Sequence, residues 1–214
     1  MKFVEVLCEG EADVPVLREV LTRRFGLAED DEFRIHPHQG KGKLPPLDRL
    51  LAEPNSAQNQ LLTQLPIKLS NYGKQATSQF QIVVVVLVDA DDDDCRALKR
   101  SLLAVYDSLK YRPTHCLFRI AVEETESWFL ADAQAVKRAY SSVDLDVLDR
   151  HGPDTVCGAW ECLSEALGYE RAVGQGLKTR WAEEIAPHLN LAAPLSPSLR
   201  AFIEGVHRVI GGPP

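Results

Sequence analysis

The sequence predicts an α/β protein with a mostly parallel sheet flanked by helices, followed by a helical C-terminal extension. Two features carry this prediction. The runs Ile82–Val88 and Cys116–Val122 are short and apolar, and the first is almost entirely β-branched. Such runs are typical of strands that are buried on both faces of a parallel sheet. Segments with helical periodicity separate the strand-like runs, and this alternation indicates helices that cover the sheet.

The N-terminal part of the chain is predicted to supply all strands of the sheet. Four segments are rich in β-forming residues, namely Phe3–Cys8, Phe33–Pro37, Ile82–Val88 and Cys116–Val122. Two segments between them place apolar residues on one helical face, at Asp13–Phe25 and Cys95–Leu109. The stretch Leu44–Ser78 is predicted to be helical in part and to be broken by Pro54 and Pro66.

The character of the chain changes after Ala121. Helices separated by glycine- and proline-rich joints are predicted at Glu126–Tyr140, Ala159–Leu167, Thr179–Leu189 and Ser196–Val209. No further strand of comparable strength follows. We therefore expect an α/β core over residues 1–125 and a helical extension over residues 126–214 that packs on this core.

Composition narrows the class of protein. The chain has 214 residues, 45% of them apolar, and a formal net charge of −7. This charge disfavours a generic nucleic-acid binder, although metal ions and a local basic patch can neutralise a contact face.

No signal-peptide pattern is visible, and the longest apolar run, Ile82–Val88, is too short to cross a bilayer. Five scattered cysteines without a C-x-x-C pair indicate reduced thiols. We expect a cytoplasmic protein that does not contact membranes.

Acidic residues follow three of the four predicted strands. They are Glu9, Glu11 and Asp13 after the first, Asp89 to Asp94 after the third, and Glu123, Glu124 and Glu126 after the fourth. Open parallel sheets bind ligands beyond the carboxyl ends of their strands, so these acids should meet at one edge. Crowded carboxylates favour a hard divalent cation such as Mg²⁺. Each cluster alone also fits a structural role, since an aspartate such as Asp93 or Asp94 often caps a helix.

The segment after the second predicted strand is basic. Glycines alternate with Lys41 and Lys43, but the P-loop pattern is missing because no Ser or Thr follows the lysine. We interpret this segment as a flexible loop that contacts nucleic-acid phosphates through Lys41 and Lys43; an ordinary exposed turn is the alternative. His36 and His38 could bind metal, although partly exposed strand histidines without a ligand are more common.

Two of these motifs resemble a known domain. Glu9-Gly10 at the end of the first predicted strand, with Asp89-x-Asp91 at the end of a hydrophobic strand, resembles the TOPRIM domain of topoisomerases, primases and the overcoming-lysogenization-defect nucleases. The resemblance covers about residues 1–130 and implies a TOPRIM, Rossmann-like sheet. The stretch Glu124–Asp132 and the later Leu177-Lys178-Thr179 resemble a prokaryotic TOPRIM-like family. Its members are often encoded beside an ABC-type ATPase, in a manner that suggests phage defence.

The resemblance also implies roles for individual residues. In the lysogenization-defect nucleases a second acid lies four residues after the first glutamate, as Asp13 does here. They also use a later acid, matched best by Glu126 with Glu124 beside it, and a downstream lysine, matched by Lys178. The residues implied as ligands of one or two Mg²⁺ or Mn²⁺ ions are thus Glu9, Asp13, Asp89, Asp91 and Glu126, and those implied in catalysis are Glu9 and Lys178.

The activity implied by this resemblance is metal-dependent cleavage of DNA or RNA. Two metal ions can activate a water molecule and stabilise the leaving oxygen, and a lysine can offset the added negative charge. We expect a nuclease that serves as the effector of a defence system with an ABC-type ATPase as partner. The alternative is a subunit that binds metal and nucleic acid, or a partner protein, without cleaving.

Overall fold

The computed structural model describes residues 2–52, 59–91, 93–122, 124–150, 152, 154 and 158–211. Its centre is a parallel sheet of four strands in the order β2-β1-β3-β4. The strands are β1 (Lys2–Cys8), β2 (Phe33–Pro37), β3 (Gln81–Asp89) and β4 (His115–Ala121). The predicted α/β fold with a parallel sheet is therefore confirmed, and each predicted strand is present to within one residue at each end.

The strand order creates a crevice at the carboxyl edge of the sheet. The strand β2 lies on one side of β1. The chain then crosses over β1 to its other side, where β3 and, beyond it, β4 are added. The direction of winding thus reverses between the neighbours β1 and β3. At such a switch point the loops after the two strands separate to opposite faces of the sheet, and ligands of open α/β proteins bind in the opening.

Both faces of the sheet are buried. Along β3, Val83, Val85 and Leu87 contribute to one apolar core, whereas the alternate residues from Ile82 to Val88 contribute to a second. The second core is closed by α2 (Leu61–Gln75) and α3 (Cys95–Ser108). The first is closed by α1 (Val14–Glu19, continued by a π-helical turn over Val20–Arg24) and by the C-terminal helices. Burial on both sides explains the continuous apolar sequence of β3.

The residues after β4 form short helices that pack on one face of the sheet. They are α4 (Glu126–Leu130), α5 (Ala133–Ala139), α6 (Leu145–Asp149), α7 (Ala159–Ala166), α8 (Arg171–Gly174), α9 (Lys178–Ile185) and α10 (Pro197–Ile210). Trp128, Trp181 and Phe202 are fully buried in the core that these helices share with the sheet. A boundary between core and extension at residues 125 and 126 stays a prediction. Within the described ranges, every helix is too short or too polar to cross a bilayer.

Two predicted helix boundaries were wrong. Pro66 lies inside α2 and does not break it, because leucines before and after it are buried against the sheet and outweigh the missing backbone hydrogen bond. Pro54 lies outside the described residues. The single helix predicted over Glu126–Tyr140 is divided into α4 and α5, since the Asp132 carboxylate accepts the N–H of Ala135 at 3.0 Å and starts a new helix.

Candidate metal centre

Asp13 ties the end of β1 to the start of α4. It ends a 3-10 turn over Glu11–Asp13 and is only 5% exposed. One carboxylate oxygen accepts the backbone N–H groups of Glu9 and Gly10, each at 3.1 Å. The other accepts the hydroxyl of Thr125 at 2.9 Å. These hydrogen bonds bring the acids after β1 next to those after β4.

Glu9 and Asp89 meet at the switch point. Because β1 and β3 are parallel neighbours, their carboxyl ends lie side by side. The backbone N–H of Asp89 donates to Glu9 Oε1 at 2.9 Å. Glu9 is thereby held across the ends of two strands, and both residues lie at the switch point, where open α/β sheets bind their ligands.

Lys178 is turned into the acidic cluster rather than toward water. It is the first residue of α9, and its Nζ lies 2.9 Å from Glu124 Oε1 and 3.1 Å from Glu126 Oε1. Glu126 is 2% exposed. Within the described part of the chain, the second oxygen of Glu124, Oε2, is buried and has no hydrogen-bond partner. The C-terminal helices therefore supply both the counter-charge of these acids and the wall that excludes water from them.

Burial makes the clustered carboxyl groups resist ionisation. It raises the pKa of Glu9 to about 8 and that of Glu126 to about 7. For Asp89, burial and then repulsion from Asp13 and Glu9 raise the pKa well above its ordinary value. Burial also raises the pKa of Asp13, although the hydrogen bond from Thr125 acts in the opposite sense. A cation placed among these groups would offset both effects.

Asp91 lies at the margin of the cluster and pairs with Lys41. Lys41 Nζ donates to the carbonyl oxygen of Ala90 at 3.0 Å and lies 3.1 Å from Asp91 Oδ2 and 2.7 Å from Asp93 Oδ2. The Asp91 backbone has a φ of 47°, in the left-handed region that few residues other than glycine adopt. The Asp91 side chain is 53% exposed and contacts Lys41 of the loop over residues 40–43, which we call the Gly-Lys loop. Asp94 caps α3 through the N–H of Ala97, as predicted for Asp93 or Asp94.

The other predicted residues lie outside the acidic cluster. Lys43 lines a surface cavity of about 580 Å³ together with Lys41 and Asp93. His36 is paired with Glu5 at 2.6 Å. His38 lies beyond the end of β2 and is buried, with its Nδ1 2.8 Å from the carbonyl oxygen of Cys8. Asp92 and Glu123, two further acids of the sequence pattern, lie outside the described residues.

Several carboxylate oxygens of the cluster are engaged by hydrogen bonds or by Lys178. Among the residues that the structure describes, no three His, Cys, Asp or Glu side chains already surround a common metal position. Binding of a divalent ion at this site would therefore require side chains such as Lys178 to release the oxygens that they now contact. The donors themselves are all carboxylate oxygens, the ligand type that Mg²⁺ and Mn²⁺ prefer.

Thr125 is a residue of the site that no sequence pattern indicated. It is 1% exposed, and its hydroxyl donates to a residue 112 positions away. A single threonine before a helical glutamate carries no pattern that distinguishes it from a helix cap. The only signal was its position between Glu124 and Glu126 in a segment that was already predicted to reach the site.

The chain matches the model of the family described as domain of unknown function DUF4276 over residues 8–207. It belongs to this family. None of the curated protein sequences matches it. Among solved structures, the chain is similar to the C-terminal region of the Xanthomonas campestris pv. campestris OLD protein, with 14% identity, coverage of 97% of this chain and 96% of the other, and a TM-score of 0.44. It is also similar to the C-terminal region of the Burkholderia pseudomallei OLD protein, with 13% identity, coverage of 97% and 98%, and a TM-score of 0.45. The TOPRIM assignment itself stays a prediction.

Proposed function

We propose that this member of the DUF4276 family is a nuclease of TOPRIM type that depends on Mg²⁺ or Mn²⁺. One observation carries the proposal. Carboxylates from the ends of β1 and β3 and from the segment after β4 are buried together at the switch point of a parallel sheet, and Lys178 lies among them. Buried, unpaired carboxylates destabilise a fold, so such a cluster is typical of a functional site.

The residues present fit a divalent metal ion. Glu9, Asp13, Asp89 and Glu126 would hold it, with Asp91 at the margin. The unpartnered buried oxygen of Glu124, described above, supports this fit, because a hard cation would satisfy it. When bound, one or two such ions supply an activated water molecule and stabilise the leaving oxygen of a phosphodiester.

The side chains of the protein supply positioning and charge. Asp13 fixes the turn after β1 through three hydrogen bonds and so orients Glu9. Lys178 is a cation whose pKa burial lowers but Glu126 and Glu124 raise above its ordinary value, so it stays protonated at neutral pH. It is placed to offset the negative charge that develops on a phosphate in the transition state.

A second candidate function is a subunit that binds nucleic acid or a partner without cleaving. Lys41 and Lys178 together contact four carboxylates in the described structure, those of Asp91, Asp93, Glu124 and Glu126. Part of the acidic cluster is therefore neutralised without any metal ion. For either function, we propose an ABC-type ATPase as the partner and phage defence as the context, following the sequence resemblance.

The decisive experiment measures cleavage. Purified protein is incubated with plasmid DNA, linear DNA and RNA in Mg²⁺, Mn²⁺ or EDTA, alone and with the proposed ABC-type ATPase partner. We expect cleavage with metal that is abolished by EDTA and by Asp89→Asn. The control is Asp94→Asn, because asparagine also caps helices well and Asp94 lies at the exposed start of α3. Binding without cleavage under every condition would support the non-cleaving subunit instead.

A further inference from the structure

A basic groove lies beside the acidic cluster, along the outer edge of the sheet. It has a volume of about 400 Å³ and runs between α3, β4 and α10. Its lining includes four basic residues, Arg96, Lys99, Arg100 and Arg119, and no described lining residue is acidic. In a chain with a formal net charge of −7, this local excess of positive charge does not follow from composition.

In the part of the chain that the structure describes, no salt bridge neutralises the positive charges of the basic groove. None of its four basic residues takes part in an ion pair among the described residues. Burial, and then repulsion from Arg119, lowers the pKa of Lys99 to about 8. Burial and then Arg208 of α10 lower the pKa of Arg119, while Glu204 of the same helix acts in the opposite sense. An anion bound in the groove would relieve this repulsion.

Two of the cations are fixed in place by the fold. Arg119 Nε donates to the carbonyl oxygen of Ala201 at 2.8 Å. Its guanidinium lies so close to α10 that a Cβ at Gly205 would come within 2.5 Å of it. A glycine inside a helix costs about 0.5–1 kcal/mol relative to alanine, and here it provides the space for Arg119. Lys99 Nζ donates to the carbonyl oxygen of Phe118 at the edge of β4.

Protection of the sheet edge does not account for all four residues. Edge strands are protected from pairing with other chains by lysines or by elements that cover the edge, and Lys99 of α3 fulfils this role through its contact with the Phe118 carbonyl oxygen. Arg96 and Arg100 are exposed on α3, one helical turn apart, and make no contact with the edge carbonyl. They have no evident structural function, and they line the same groove as Lys99 and Arg119.

The basic groove lies close to the acidic cluster, along β4 and the start of α3. Ala121 follows the groove residue Ile120, pairs with Asp89 in the sheet, and accepts the N–H of Ala90 at 2.9 Å. At a rise of about 3.3 Å per residue, Arg119 lies about 7 Å along β4 from Ala121. At the other wall, Arg96 lies within the first turn of α3, directly after the acidic loop. An extended polyanion in the groove can therefore present one of its linkages to the acids.

We propose that the basic groove binds the sugar-phosphate backbone of the nucleic-acid strand on which the acidic cluster acts; this inference rests on the proposed nuclease function. In this proposal the main phosphate contacts are made by the groove and not by Lys41, because the charge of Lys41 is already compensated by Asp91 and Asp93. An extended polyanion is favoured over an acidic protein surface because the groove leads directly to a site suited to phosphodiester chemistry.

The test compares two variants that each remove two positive charges. Arg96→Ala/Arg100→Ala alters the groove, and both residues are exposed. The control, Arg18→Ala/Arg34→Ala, alters α1 and β2 at the opposite side of the sheet, where Arg18 pairs with Glu29 and Arg34 with Asp30. Binding is measured by fluorescence anisotropy in EDTA, so that cleavage is not required. The probes are labelled single-stranded and duplex oligonucleotides of DNA and of RNA.

We expect the groove variant to bind its preferred probe at least about tenfold more weakly at low salt. The slope of log K against log salt concentration should be flatter by about 0.7–0.9 for each phosphate that the variant no longer neutralises. The control should keep the wild-type affinity. Equally weakened binding in both variants, or no binding of any probe by the wild-type protein, would overturn the proposal, and the second outcome would favour an acidic protein partner. Binding that depends on the groove, without cleavage in Mg²⁺ or Mn²⁺, would support the groove as the nucleic-acid site and refute the proposed nuclease function. Cleavage that is undiminished in the groove variant would support the nuclease function and refute the role of the groove.

Discussion

Replacing Lys178 with methionine should destabilise the folded protein more at high pH than at low pH. The side chains of Lys178, Glu124 and Glu126 expose only 23%, 18% and 3% of their surface. Methionine keeps much of the aliphatic volume but leaves both carboxylates without their cation. Removing one partner of a buried ion pair typically costs about 3–5 kcal/mol.

The dependence on pH follows from Glu126. Burial raises its pKa to about 7 even when Lys178 is present, and removal of the lysine should raise it further. When folding raises the pKa of a carboxyl group, the group is protonated in both the folded and the unfolded protein at any pH below its unfolded pKa. As pH rises from there through the folded pKa, the folded protein loses stability relative to the unfolded chain. We therefore expect a destabilisation of about 3–5 kcal/mol near pH 8.5 and less than about half of this near pH 5.

Equilibrium unfolding in urea measures this effect. The buried Trp128 and Trp181 provide a fluorescence signal, and EDTA excludes bound metal. Lys137→Met is the matched control, because it removes the same charge from an exposed position of α5, and it should change the free energy of unfolding by less than about 0.5 kcal/mol. A destabilisation below about 1 kcal/mol near pH 8.5, or an equal one at both pH values, would show that Lys178 is not the counter-charge of this cluster.

Three further predictions concern the acidic cluster and the loop beside it. Millimolar Mn²⁺ or Mg²⁺ should raise the melting temperature by a few degrees, since a ligand at a hundredfold excess over its Kd adds about 2.7 kcal/mol to the free energy of unfolding. Unchanged melting of the wild-type protein, or the same rise in Asp89→Asn, would count against the metal site. In EDTA the wild-type protein should lose stability between about pH 5 and pH 8, because folding raises the pKa of Glu9 from 4.5 to about 8, and Glu9→Gln should flatten this profile. Lys41→Ala should free the Asp91 carboxylate and weaken nucleic-acid binding by less than the groove variant does; a larger effect would restore the Gly-Lys loop as the main phosphate contact.

Local patterns were sufficient to predict the sheet. The valine-rich sequence of β3 is buried on both faces, and such burial is typical of a central strand in a covered parallel sheet. The helix boundaries depended on distant residues. Asp132 divides α4 from α5 while its other oxygen accepts the N–H of Asn190, 58 positions away, and no periodicity in the sequence encodes such a contact.

The candidate site could be predicted as a set of acids but not as a network. The carboxyl ends of parallel strands lie at one edge by geometry, so Glu9 and Asp89 were expected to meet. The partners that hold the acids come from distant segments. Lys41 contacts a residue 50 positions away, and side-chain contacts of that separation depend on loop conformations that a single sequence does not specify.

The position of Lys178 has a consequence for how the protein is made. Glu124 leaves the ribosome 54 residues before its lysine partner does, a delay of roughly 3–10 s at about 5–20 residues per second. During that interval all four strands have been synthesised, yet the acids at their ends lack the cation of α9 and the helices that shield them from water. A nascent or truncated chain without α9 would therefore carry the acids without a closed site, and any nuclease activity would begin only after α9 has been synthesised.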